Sequence, residues 1–250
     1  MKQELINYIL HLADNALILG QRNAEWCGHG PVLEQDIAMT NISLDLIGQA
    51  RNFYQYAASL LGEGATEDTL AYLRTEREFR NCLLVEQHNG DWGQTLLRQF
   101  LISNFQQLLY TALQTHKDRQ LAAIAEKSLK EVTYHLRWSS EWVIRLGDGT
   151  RESHERMLKA IDTLWRYTGE LFEPAAYETA CVQDGTAVSL ATIKDEWQHK
   201  TGEVFSEAGL PVPENIFMLT GGKMGKHTEQ MGYILAELQY LQRAYPNAQW

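Results

Sequence analysis

Cysteine, proline and positive charge are scarce in this chain of 250 residues, and each shortage narrows what it can be. The three cysteines, Cys27, Cys82 and Cys181, are far apart, odd in number and outside any Cys-x-x-Cys, so free thiols in a reducing cytoplasm are expected. Lysine and arginine total 22 against 32 acids, a formal net charge of −10, and no local basic patch offsets it; a nucleic-acid partner is excluded. No apolar run approaches the roughly 18–20 residues that span a bilayer, so no membrane role is expected. The opening Met1-Lys2-Gln3-Glu4 lacks the regions of a secretory signal. Gly-x-Ser-x-Gly is absent, as is Ser-x-x-Lys in a supporting context, and so is Gly-x-Gly-x-x-Gly. With five prolines and few alternating Val/Ile/Thr runs, sheet has little to be built from, and an all-α fold follows.

What is there is helical periodicity in an ordinary composition, 44% hydrophobic and 22% charged. Leu5, Ile9, Leu12, Ala16 and Leu19 predict an amphipathic helix ending near Trp26. A second runs from Leu33 to Leu61 and is closed by Gly62-Glu63-Gly64. Shorter helical pieces follow from Thr66 to Arg80, then a connection from Asn81 to Gly90. A helix over Asp91–Thr115 carries Leu97, Phe100, Leu101, Asn104, Leu108 and Thr111 along one side. The next runs to Leu146 and is stopped by Gly147-Asp148-Gly149, and another spans Ser153 to about Phe172. Pro174 opens a loop with a short helical piece, Ser189–Ala208 is helical, and Thr228–Arg243 is the last helix. No repeat or low-complexity tract divides the chain, so residues 1–250 read as a single helical domain.

Two stretches echo each other. In Leu44-Asp45-Leu46-Ile47-Gly48-Gln49 and Lys130-Glu131-Val132-Thr133-Tyr134-His135, an acid precedes an apolar residue, and a hydrogen-bonding side chain follows three positions later. At about 100° per residue, Gln49 and His135 fall inside the apolar stripes of their helices, while Asp45 and Glu131 sit at the rims. A di-iron helical bundle holds Glu-x-x-His at such places, because residues three apart share a face and can reach one metal together. Here the positions read Leu46-x-x-Gln49 and Val132-x-x-His135, which is a metal scaffold without its metal ligands. The other two helices offer Asn15 and Asn104, with Ser103 beside it, and amides are poor replacements for anionic oxygen ligands. His199, preceded at three residues by Glu196, is a lone pair of that spacing and fits a solvated helix face. His135 and Gln49 are expected to close a buried polar network; a mononuclear site using Asp45, Glu131 and His135 is the alternative, with one of its two histidines missing.

Weaker candidates lie elsewhere. Gly221-Gly222-Lys223-Met224-Gly225-Lys226 opens a helix but fails the Walker pattern, leaving Lys223 and Lys226 as an anion-binding or partner loop. Glu34, Gln35, Asp36 and Ile37 follow the break at Gly28–Pro31, either as helix-dipole partners or as the lining of a ligand site. Thr179, Ala180 and Cys181 fall in a long connection, a place where function concentrates. Trp92, Trp138, Trp142 and Trp250 are candidate interface anchors.

Taken together, the chain resembles a known family: the structural, non-catalytic subunits of bacterial phenylacetyl-CoA epoxidase, a multicomponent di-iron oxygenase. The likeness runs over nearly the whole length. It rests on Glu25-Trp26-Cys27-Gly28-His29, on NISLDLIGQARNF (41–53), on Leu84-Val85-Glu86-Gln87 and on KEVTYHL (130–136). Thr220-Gly221-Gly222-Lys223, His227-Thr228-Glu229 and AELQYLQR (236–243) complete it. The resemblance implies a ferritin-like bundle that pairs with a homologous catalytic subunit, the one that holds the di-iron centre. It also implies a separate reductase subunit that supplies electrons from NADPH through flavin and iron–sulfur groups. The catalytic relative's two Glu-x-x-His motifs correspond to Leu46–Gln49 and Val132–His135, so of four ligands only His135 remains. No catalytic residue and no cofactor are then expected in this chain, with self-association, a cytoplasmic location, and phenylacetyl-CoA met only through the complex. Two other functions stay open at this point: an active di-iron or mononuclear oxygenase subunit, and a CoA-thioester binding module.

Overall fold

Capping side chains set where several of the helices begin. Asp91 accepts a hydrogen bond from the backbone N–H of Gln94 (2.9 Å), Asp118 from that of Leu121 (2.9 Å) and Thr150 from that of Ser153 (3.2 Å). Each satisfies an orphan donor of a first turn. The computed structural model describes residues 2–246 and 248, and among them there are helices and turns but no strand. In chain order the α-helices are α1 (Lys2–Ala24), α2 (Leu33–Leu61), α3 (Glu67–Tyr72), α4 (Leu83–Glu86), α5 (Trp92–Leu113) and α6 (Arg119–Gly147). They continue with α7 (Arg151–Leu164), α8 (Ala176–Asp184), α9 (Ala191–Glu207), α10 (Glu229–Leu238) and α11 (Tyr240–Ala244). The architecture is all-α and ferritin-like, its longest elements being two helical hairpins.

Each hairpin belongs to one of two compact units, both assembled from separated stretches of chain. The first comprises residues 1–88, 175–181 and 221–250; the second comprises 89–174 and 182–220. In the first, α1 packs along α2, and Gly20 lets them approach: a Cβ there would lie 3.2 Å from Ile47 and 3.3 Å from Leu46. In the second, α5 packs against α6, α7 and α9.

The periodicity holds for α2 and α6, whose apolar faces are buried and whose opposite faces are wet. It understates α1 and α5. Residues 8–20 of α1 and 93–106 of α5 are buried without interruption, so these helices are enclosed on every side and do not present the single apolar face expected of them. The boundaries also shift. α1 stops at Ala24, and α7 stops at Leu164 and tightens into short 3-10 turns through Phe172. The stretch 81–90, expected as a connection, contains the helical turn α4. The last helix breaks at Gln239, whose side-chain amide donates to the carbonyls of Ala71 (3.2 Å) and Arg74 (2.9 Å). Among the described residues no helix is long and apolar enough to cross a membrane.

Candidate functional site

The four positions that the resemblance matches to paired Glu-x-x-His motifs are buried. Leu46 and Gln49 share the inner face of α2, and Val132 and His135 share that of α6; His135 is 0% exposed. Asp45 and Glu131 are half-buried at the edges, as their angular positions require. These residues do not suit two iron ions: Leu46 and Val132 carry no donor atom, and Gln49 offers a neutral amide. The supporting positions are committed elsewhere. Asn15 Oδ1 accepts the backbone N–H of Cys82 (2.8 Å), and Asn104 Nδ2 donates to the Trp197 carbonyl (3.0 Å) and to Thr201 Oγ1 (3.1 Å). Glu196 and His199 stand exposed on α9, with His199 Nδ1 3.9 Å from Glu203 Oε1. Among the described residues no three His, Cys, Asp or Glu side chains are grouped to hold a metal ion.

The weaker candidates also find their places. Asp36 is a clasp: its carboxylate accepts the Gly30 N–H (2.9 Å), and the backbone hydrogen bonds of Gly30 and Gly28 hold its pKa below the usual carboxylate range. Glu34 and Ile37 face solvent, and Gln35 is half-buried. Thr179, Ala180 and Cys181 are not on a loop. They lie inside α8, where Thr179 bonds back to Ala175 and Cys181 is buried.

Lys223 is likewise not a free cation at a loop. It is 3% exposed, and its Nζ pairs with Glu178 at 3.0 Å; only Lys226 faces solvent. The glycines of that loop serve close packing. A Cβ on Gly222 would collide with the Asn81 carbonyl and one on Gly225 with the Arg77 carbonyl, while Gly221 and Gly225 have φ of 136° and 74°. Trp92 and Trp138 meet edge to face at 6.3 Å, and the Arg145 guanidinium lies 4.7 Å from the Trp142 ring. Trp250 lies outside the described residues.

What spacing did not disclose is a chain of buried charges through the first unit. Asp14, midway along α1 and fully buried, accepts from Tyr54 Oη (2.5 Å), from the Arg80 N–H (2.7 Å) and from both terminal nitrogens of Arg74. Arg74 also caps the Leu70 and Glu78 carbonyls and lies 4.1 Å above the Phe79 ring. Burial alone would lower the Arg74 pKa; the carboxylate beside it holds it above the ordinary value. Burial and then Asp14 push the Tyr54 hydroxyl well up.

One turn away, His11 Nδ1 donates to the Arg80 carbonyl (2.7 Å), and its Nε2 lies 3.9 Å from Glu178. Burial lowers the His11 pKa, so a neutral ring protonated on Nδ1 fits the site. Glu178 in turn accepts from Lys223 and from the Ala175 N–H (2.8 Å).

The third cluster centres on Glu86, which is 0% exposed. It accepts from His227 Nδ1 (2.7 Å), the Thr228 N–H (2.6 Å), Thr228 Oγ1 (2.8 Å) and Asn81 Nδ2 (2.9 Å). His227 Nε2 faces the Phe79 carbonyl at 3.1 Å, so both ring nitrogens meet acceptors, which only the imidazolium satisfies. Burial opposes that charge, but the Glu86 hydrogen bond and field prevail and the pKa is raised. Arg22 joins in, donating to the Glu86 carbonyl (3.0 Å) and to Gln230 (3.0 Å). Asp14, Glu86 and Glu178 are thus each paired with protein donors. What the arrangement does is fasten α8 and the stretch from residue 221 to α1 and α4.

A family model described as phenylacetic acid catabolic protein matches residues 1–250. The chain is also 50% identical, over 247 residues, to the C subunit of 1,2-phenylacetyl-CoA epoxidase from Escherichia coli (strain K12); the match covers 99% of this chain and 99% of that protein.

Proposed function

This chain belongs to the phenylacetic acid catabolic protein family, and from that premise we propose that it is a non-catalytic structural subunit of a phenylacetyl-CoA epoxidase complex. The observation that supports the reading is the content of four buried positions: Leu46, Gln49, Val132 and His135, which by the family resemblance match two Glu-x-x-His motifs, offer one imidazole and no carboxylate. Its partner is a homologous catalytic subunit that holds the di-iron centre, with a reductase subunit passing electrons from NADPH. Phenylacetyl-CoA meets this chain only through the complex, which is cytoplasmic, and the chain also associates with itself. An active ferritin-like subunit must bury carboxylates and keep a path open for substrate, both of which weaken its core. A partner with a filled interior supplies stability across a shared helical face.

The α2 surface supports a partner on that side. Leu33 (71% exposed), Ile37 (51%) and Leu44 (61%) fall within about 40° of one another around the helix, an apolar stripe of the kind that marks an interface. The test is to produce the catalytic subunit with and without this chain, and with a Leu33→Asp/Leu44→Asp variant. The proposal expects soluble, active enzyme only with the parent chain, and reduced co-purification with the variant. Equal solubility and turnover in the presence and absence of this chain would refute it.

A further inference from the structure

The second unit contains a cavity of about 310 Å³ that no part of the scaffold role uses. We propose that it binds a small planar aromatic anion, one or two fused rings bearing a carboxylate. Its walls are the rings of Trp165, Phe172 and Trp197, with Trp165 and Trp197 centred 6.0 Å apart and Phe172 meeting Trp197 edge to face at 5.2 Å. Aromatic walls tilted in this way present faces and edges together, which suits another ring.

The size is right for that class. An apolar cavity of about 150 Å³ takes one benzene ring, so twice that volume takes a bicyclic arene with a substituent. The site is also preformed. The segment that closes it is pinned by the hydrogen bond from the Leu219 N–H to the Arg166 carbonyl (2.8 Å). It lies so near the 3-10 turn that a Cβ on Gly169 would be 2.6 Å from Met218.

The polar groups narrow the ligand further. Trp197 Nε1 donates to the Leu101 carbonyl (3.0 Å) and Thr168 Oγ1 to the Trp165 carbonyl (2.8 Å), so neither is available. Lys194 and Gln198, one turn apart on α9, also line the cavity, and neither has a protein partner among the described residues. An ammonium and an amide beside tilted aromatic rings select an arene carrying an anionic acceptor.

The probes are β-naphthoate and its uncharged isostere β-naphthamide, titrated into the full chain by calorimetry and by quenching of tryptophan fluorescence. β-Naphthoate binds, and β-naphthamide binds about tenfold more weakly, the loss of one charge-assisted hydrogen bond. Val212, at the rim and half exposed, tests occupancy: Val212→Trp abolishes binding of both. Lys194→Glu, on the surface and neutral to folding, weakens β-naphthoate by about tenfold and leaves β-naphthamide unchanged. No binding of either probe at millimolar concentration overturns the proposal, as does binding that survives Val212→Trp. Equal effects of Lys194→Glu on the two probes overturn it as well.

Discussion

The two units solve the same packing problem in opposite ways. Among the described residues, the first buries six charged side chains, Asp14, Arg22, Arg74, Glu86, Glu178 and Lys223; the second buries two, Arg98 and Glu170. The second relies instead on rings: Phe205 lies 5.8 Å from Trp165 and 6.3 Å from Phe100, and Phe105 meets Phe172 edge to face at 5.7 Å. Aromatic contacts tolerate small shifts, whereas a buried ion pair is satisfied in few geometries and is penalised in all others. Register is therefore fixed mainly in the first unit. The first unit joins three separated stretches of chain, and its charges are what hold residues 175–181 and 221–230 to α1 and α4.

That contrast can be broken at several points. The largest effect is expected at Asp14→Ala, which leaves Arg74 buried without its carboxylate and should cost about 3–5 kcal/mol. In a chain of this size that is a fall in Tm of roughly 6–20 °C, read by calorimetry. Replacing the whole cluster (Asp14→Leu, Arg74→Met, Tyr54→Phe) should recover most of it, because no charge is then left unpaired. A triple variant as unstable as Asp14→Ala would mean that the cluster contributes net stability beyond specificity.

In the ring-packed unit, Phe205→Leu should cost about 1–1.5 kcal/mol, since a hydrophobic residue of similar volume can repack. A cost equal to that of Asp14→Ala would erase the distinction between the units.

Smaller effects follow from His11 and His227, whose shifts have opposite sign. The His227 pKa is raised, so its stabilisation is complete below the ordinary value of 6.5 and is lost as pH rises from there through the folded-state value. The His11 pKa is lowered, so its contribution is present above 6.5 and is lost as pH falls from there through the folded-state value. Thermal melts between about pH 5 and pH 9 should therefore lose an alkaline decline in His227→Gln and an acid decline in His11→Gln. The smallest effect is expected at Glu196→Ala/His199→Ala, within about 0.5 kcal/mol of the parent because both side chains are solvated.

How much of this was legible in the sequence follows from the range of each interaction. α2 begins at Leu33 and ends at Leu61 as its stripe and closing glycines require, and the buried character of Leu46, Gln49, Val132 and His135 follows from angular position alone. The charge network is another matter. Asp14 and Arg74 are 60 residues apart, and Glu86 and Thr228 are 142 apart, so no local spacing relates them. One signal was present: His11, Asp14 and Asn15 interrupt an otherwise apolar helix at the spacing of a single face. Polar groups so placed must be satisfied from elsewhere in the fold. Lys223 was misread for the same reason, because a basic glycine-rich loop looks like an anion site until its partner Glu178 is located.

Iron analysis shows whether this chain supports a metal enzyme or houses the metal itself. The complex with the catalytic subunit is purified, the chains are separated under conditions that retain metal, and iron is measured in each. Iron is expected in the catalytic chain and none above background in this one. Iron bound stoichiometrically to this chain, and lost on His135→Leu, would contradict it.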